Sequence, residues 1–252
     1  VDEGVGAGAL SRRKTTAAVV FLRSTVPTMR SVLLVVGFSL VGCASAGPAF
    51  QKPDMDAVLD ARIAAEEQGD AAAVAARDAA LKQRFAPTAV FISDMSGFTK
   101  LTREKGLAWF LSQIRRMERL ALPLLTKHGV ELVKQYGDDL FVVSSDPAKL
   151  YAFARDFLAD IATEAARPGG AQLRVSGGIA FGDVLRVGND LFGDPVNRSS
   201  KLGEDLAEPG ELLLAEEVFA ALPKERTADC VLQPAGSRNA AFGFYLCGAT
   251  AR

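Results

Sequence analysis

The chain has 252 residues, 49% of them hydrophobic and 23% charged, which is the globular average and excludes disorder as a description of the whole. Twenty-nine Lys plus Arg against 30 Asp plus Glu leave a net charge of -1, so no basic field exists to hold nucleic acid and no nucleic-acid partner is expected. One histidine, His128, and three cysteines, Cys43, Cys230 and Cys247, exclude a His-rich zinc site or a zinc finger, and any metal must be oxygen-liganded.

The chain begins with Val1, and Met29 is the alternative start. From Met29 the order is Arg30, an apolar run over residues 32–41 broken only by Gly37 and Ser39, then Gly42 and Cys43, which is the order of a secretory signal. Leu40, Val41, Gly42 and Cys43 resemble a bacterial lipobox, in which the cysteine is lipidated and becomes the mature N-terminus. Residues 31–50 carry no charge and are also long enough for a membrane anchor, with Arg12, Arg13, Lys14, Arg23 and Arg30 on its cytoplasmic side. Both readings attach the chain to a membrane through its N-terminal segment and put the remainder outside the cytoplasm. A leader on a cytosolic protein is the third reading. The expected organisation is a leader over residues 1–43, an Ala-rich helical spacer over 44–85 and one folded domain over 86–252.

Residues 53–85 place Met55, Leu59 and Ile63 at spacings of four, a helix interrupted near Gly69 and Asp70. Residues 88–92 (TAVFI) read as a buried strand ending at Ser93 and Asp94. Residues 96–126 follow as one helix, with Leu101, Leu107, Phe110, Leu111, Ile114, Met117, Leu120 and Leu124 on its apolar face and Lys127, His128 and Gly129 as its stop. Two strands, 130–136 and 140–144, join across Gly137, Asp138 and Asp139. A helix over 146–166, strands over 172–180 and 184–187, a helix over 194–206 and a strand over 211–214 complete the pattern. That order is an α+β fold of the split βαβ, ferredoxin-like kind.

Asp94 ends the first strand and Asp138 sits at the tip of the hairpin beside it. Alone, the first reads as a helix cap and the second as a turn residue. Together they are two carboxylates that repel unless a cation lies between them, and oxygen donors suit Mg²⁺ or Mn²⁺ with substrate phosphates completing the shell. Gly97, Phe98 and Thr99 then open a helix, whose free N–H groups favour phosphate. The combination describes a nucleoside triphosphate site.

Phe91, Asp94, Met95, Gly97, Phe98 and Thr99, then Lys134, Gly137 and Asp138, then Gly178 and Gly182, then Asp190, Phe192, Gly193, Val196 and Asn197 resemble, in order and spacing, class III adenylate/guanylate cyclase catalytic domains. The resemblance covers residues 87–222. It implies an adenylate cyclase-like enzyme that turns ATP into 3′,5′-cyclic AMP and pyrophosphate, with a C-terminal β-hairpin closing the fold. Asp94, Asp138 and the Met95 carbonyl match the ligands of two Mg²⁺ or Mn²⁺ ions. One ion lowers the pKa of the ribose 3′-hydroxyl, and the other neutralises the triphosphate. Lys134 matches a donor to adenine N1 and Asp190 an acceptor from the N6 amine, a pair that faces the wrong partners on guanine. Asn197 matches the residue that orients the ribose. Lys201 stands where the family usually has an arginine against the α-phosphate; it keeps the charge but not the planar fork, and Arg198, three residues earlier, is the expected substitute. For the lysine that the family often brings from its terminal hairpin, residues 233–244 offer only Arg238. Each family site takes its two halves from different protomers, so a symmetric homodimer is expected. The alternatives are a weakly active or non-catalytic nucleotide-binding module and, from the loose similarity of residues 137–141, a diguanylate cyclase, which residues 190–197 do not fit.

Cys230 and Cys247 lie on apolar segments flanking the turn-like residues 234–239. They are expected to form a disulfide across a terminal hairpin if the domain is exported, and to be two small core residues if it is not.

Overall fold

The computed structural model describes residues 51–169 and 173–248. The signal, lipobox and anchor expectations, all within residues 1–50, lie outside the described residues. Among the described residues no helix is long and apolar enough to cross a membrane.

Helix α1 (Lys52–Glu67) ends before Gly69, and Asp70 starts α2 (Ala71–Lys82) by accepting a hydrogen bond from the Ala73 backbone N–H at 2.9 Å. Arg62 ties the two helices through Asp78 at 2.7 Å. Met55, Val58, Leu81 and Phe85 pack on Leu185 and Val187, so the helical stretch expected as a spacer is docked on the sheet.

The sheet contains β1 (Ala86–Met95), β2 (Glu131–Tyr136), β3 (Asp139–Ser144), β4 (Val175–Val187), β5 (Asp190–Phe192), β6 (Leu212–Ala215), β7 (Cys230–Gln233) and β8 (Phe244–Cys247). In space the order is β2-β3-β1-β4-β6-β8-β7, with β5 folded back on β4. Neighbours run antiparallel except β4 and β6. This is the α+β arrangement expected, with the C-terminal hairpin at one edge.

The two-residue period of β1 decides what lies on each face. Ala89, Phe91 and Met95 join the main core with α4 (Leu107–His128) and α5 (Pro147–Ala166), where Phe91 meets Phe153 and Phe157 edge-on at 5.8 and 6.3 Å. Val90 and Ile92 point the other way, into a smaller cluster with Val133, Val143, Val184 and Leu191. The same alternation carries Asp94 onto this second face. Helix α6 (Asp194–Ser200) and the π-helical turn Lys201–Leu206 cover it. Ser199 pins α6 to the sheet, its Oγ donating to the Val90 carbonyl at 2.8 Å and accepting from the Ala180 N–H at 3.0 Å. The turn approaches the sheet so closely that a Cβ at Gly178 would lie 2.5 Å from Leu202 Cβ, and one at Gly203 2.5 Å from the Ile92 carbonyl oxygen.

Three elements differ from the sequence reading. The helix expected over residues 96–126 is two, α3 (Phe98–Lys105) and α4, because Gly106 takes φ 85° and ψ 164° between them. The two strands expected over 172–180 and 184–187 are the single β4, because β1 pairs with it from Met95 back to Ala86 and carries the ladder through Gly182 and Asp183. The helix expected over 194–206 changes to π geometry at Lys201.

Candidate active site

Asp94 reaches the site from the end of β1, Asp138 from the turn between β2 and β3, and Asp139 from the first position of β3. Their carboxylate oxygens lie within 4.8 Å of one another. Burial, then the charges of Asp138 and Glu204, push Asp94 up to about 6, and the Met95 backbone N–H pulls the other way. Burial and then Asp138, Glu204 and Asp94 push Asp139 up to about 7, and burial also raises Asp138. None of the three carboxylates is in an ion pair among the described residues, and Asp139 Oδ1 is buried without a hydrogen-bond partner. An oxygen-only donor set that repels itself, with one acceptor left unanswered, fits a hard divalent cation such as Mg²⁺ or Mn²⁺.

Beside this cluster the chain turns through Ser96 and Gly97. The Ser96 N–H donates to the Arg174 carbonyl at 2.7 Å, Gly97 sits in the left-handed region at φ 79°, and Phe98 and Thr99 begin α3. A cavity of about 480 Å³ opens there, lined by Ser96, Gly97, Lys100, Leu101 and Arg174 among others. Lys100 and Arg174 are exposed and in no ion pair among the described residues. Sequence reasoning passed over Arg174; its only signal was a cation between Leu173 and Val175 in an apolar run.

Lys134 and Asp190 are 56 positions apart, and the fold brings them into contact, Lys134 Nζ donating to Asp190 Oδ1 at 2.7 Å. Lys134 also lies 4.7 Å over the Phe141 ring. Asp190 is held by β5, where it faces Val187 across the ladder. Tyr136 and Phe192, two positions beyond each partner, leave large aromatic surfaces exposed.

The remaining residues lie on or after α6. Asn197 is exposed. Arg198 is engaged, its Nη1 meeting both Glu217 carboxylate oxygens at 2.9 and 2.8 Å while its guanidinium stacks 5.0 Å from the Phe242 ring. Lys201 keeps its side chain half-exposed and meets only Asp205, one turn on, at 2.8 Å. Arg238 is held by Glu211 and by the Leu206 carbonyl at 2.7 Å, where it closes the end of the π-helical turn. Among the described residues no hydrogen bond or ion pair joins the carboxylate cluster to Lys134, Asp190, Asn197 or Lys201.

Residues 81–236 match the family model for the adenylate and guanylate cyclase catalytic domain. An uncharacterized protein of Mycobacterium tuberculosis is 33% identical over 131 residues, covering 52% of this chain and 33% of that protein. An adenylate cyclase of Streptomyces coelicolor is 31% identical over 132 residues, again 52% of this chain and 33% of that protein. The chain spans about a third of the length of these curated relatives. Among solved structures, an adenylate/guanylate cyclase/hydrolase from Silicibacter pomeroyi superposes with a TM-score of 0.54 at 22% identity, covering 64% of this chain and 95% of that one. At that identity the likeness is one of fold.

Proposed function

The chain belongs to the adenylate and guanylate cyclase catalytic domain family, and on that premise we propose that it converts ATP to 3′,5′-cyclic AMP and pyrophosphate in sites shared between two copies of itself. The observation that carries the substrate is the Lys134–Asp190 contact of 2.7 Å. A lysine donor and a carboxylate acceptor held side by side match adenine N1 and the N6 amine. Guanine offers a donor and an acceptor in the opposite places, so each of its edge groups would meet a like partner.

Asp94, Asp138 and the Met95 carbonyl would hold Mg²⁺ or Mn²⁺. When bound, such ions acidify the ribose 3′-hydroxyl and neutralise charge on the triphosphate. The chain's own groups do the rest by position. The Gly97 loop with Lys100 and Arg174 receives the outer phosphates. Asn197 orients the ribose so that its 3′-oxygen lies in line with the α-phosphorus; the new O–P bond forms as the bond to pyrophosphate breaks. As the resemblance implies, this reading takes the carboxylate cluster from one protomer and Lys134, Asp190, Asn197 and Lys201 from the other. The exposed Tyr136 and Phe192 support a partner surface beside the base-selecting pair.

Arg198 is held at two points by the half-buried Glu217, whereas Lys201 meets only the exposed Asp205 among the described residues, a pair that the α-phosphate can displace, so this reading takes Lys201 as its cation. Lys201→Ala is then expected to lower kcat about 100-fold with little change in KM. Arg198→Ala is expected to cost about 1 kcal/mol of stability by removing both of its hydrogen bonds to the half-buried Glu217, which among the described residues keeps only the long one from the Phe181 N–H at 3.4 Å. Steady-state rates and thermal melts separate the two, and the reverse pattern would assign the phosphate contact to Arg198.

The decisive experiment incubates the purified protein with ATP and Mn²⁺. Cyclic AMP should form at a specific rate that falls on dilution, and GTP should give about 100-fold less product. No product at any protein concentration would overturn the reading. That outcome would favour an exported module that binds nucleotide without turning it over, a second reading supported by the Cys230–Cys247 disulfide, since such bonds persist in oxidising compartments. Membrane attachment through residues 29–43 belongs to this proposal too, and fractionation of cells carrying a reporter fused after Arg252 tests it.

A further inference from the structure

We propose that Asp139 is a third carboxylate of the metal centre and that it lets this chain take up a divalent cation before any nucleotide arrives. The inference rests on reading Asp94 and Asp138 as metal-facing, and it adds a residue that the sequence reading took only as part of the hairpin turn. The register supplies the first argument. Ile92 of β1 faces Phe141 of β3 at the last pair of their ladder, and by the two-residue period Asp94 and Asp139 fall on the same side of the sheet as Val90, Ile92 and Val143, just beyond that last pair. Like charges held this close at a strand end are destabilising unless a cation lies between them. Asp138 adds its carboxylate from the adjoining turn, all three within 4.8 Å.

The second argument is that no cation among the described residues answers these carboxylates. Asp139 Oδ1 is buried and accepts no hydrogen bond among the described residues. The lysines on the flanking elements are engaged elsewhere, Lys134 with Asp190 and Lys201 with Asp205, both on side-chain carboxylates. Two carboxylates leave a small hard cation dependent on substrate phosphates to complete its shell. Three converging carboxylates supply enough charge to hold an ion without them.

The test titrates Mn²⁺ into the nucleotide-free full chain, followed by calorimetry and by loss of the free-ion paramagnetic resonance signal. The unaltered protein should bind Mn²⁺, and Asp139→Asn should weaken binding about tenfold or more. Asp160→Asn, which removes the same charge from an exposed position on α5, should bind like the parent. Without metal, Asp139→Asn should melt higher than the parent, because one of three clustered carboxylates is neutralised; that readout also shows that the variant folds. Absence of Mn²⁺ uptake without nucleotide, an unchanged affinity in Asp139→Asn, or an equal loss in Asp160→Asn would each overturn the inference. Mn²⁺ binding that depends on Asp139 in a protein making no cyclic nucleotide would keep this inference and sink the proposed activity. Cyclic AMP formation with unchanged Mn²⁺ affinity in Asp139→Asn would do the reverse.

Discussion

Asp94→Asn is expected to lower cyclic AMP formation by about three orders of magnitude while the domain remains folded. The substitution keeps the shape of the side chain and removes a negative charge from a cluster that is already too negative, where burial and Asp138 hold the Asp94 carboxyl up to about 6. Folding therefore loses little. On the proposed activity, catalysis would lose a charge that holds divalent ions against the triphosphate, and removal of a single preorganised charge-stabilising group at a reacting centre costs about 10² to 10³ in kcat. Product quantified by mass spectrometry, beside a thermal melt of the same sample, checks both halves of the expectation. A variant that retains a rate within tenfold of the parent would show that Asp94 is not in the catalytic machinery.

The largest effect on stability is expected at the opposite edge of the sheet. Cys230 and Cys247 face each other in register across β7 and β8, with Cα atoms 4.0 Å apart, and form a disulfide. The bond closes a loop with a sequence separation of 17, which for a loop of this size stabilises by about 3 kcal/mol through the unfolded state. In a domain of this length that is about 6 to 12 °C in melting temperature. Cys230→Ala, or reduction of the parent, should produce this loss. The rate per folded molecule at low temperature should change little, because β7 and β8 lie at the far edge from β2 and β3, which carry the Asp138 turn. Identical melting of oxidised and reduced protein would show that the bond contributes nothing.

The placement of several candidate-site residues was legible in the sequence because it follows from short local patterns. Asp94 behind an apolar strand, Gly97 to Thr99 opening a helix, and Asp138 in a Gly-Asp-Asp turn needed only strand alternation and turn chemistry to be placed. The Cys230–Cys247 pairing was legible for a similar reason, since two residues equidistant from a turn meet if a hairpin forms.

Asp139 and Arg198 were not legible in this way. Asp139 looked like the second half of a turn, and only the folded sheet, in which it is the first residue of β3, brings its carboxylate within 4.8 Å of those of Asp94 and Asp138. Arg198 and Lys201 lie on the same broad face of an ideal helix, which made Arg198 the natural stand-in for the missing arginine. Glu217, 19 positions away on helix α7 (Glu216–Ala221), takes Arg198 instead, and the π-helical turn begins at Lys201. A local pattern carries no information about which distant carboxylate will arrive.

By itself, then, the sequence determined the α+β class, the order of most elements, the oxygen-only character of any metal site and the residues that resemble a nucleotidyl cyclase. Those follow from periodicity, composition and spacing, which are properties of neighbouring residues. Only the tertiary structure decided that β4 runs unbroken, that Lys134 meets Asp190, that Arg198 is bound to Glu217 and that three carboxylates rather than two converge. Each of these depends on a partner strand or helix brought from far along the chain, where packing and register override local preference.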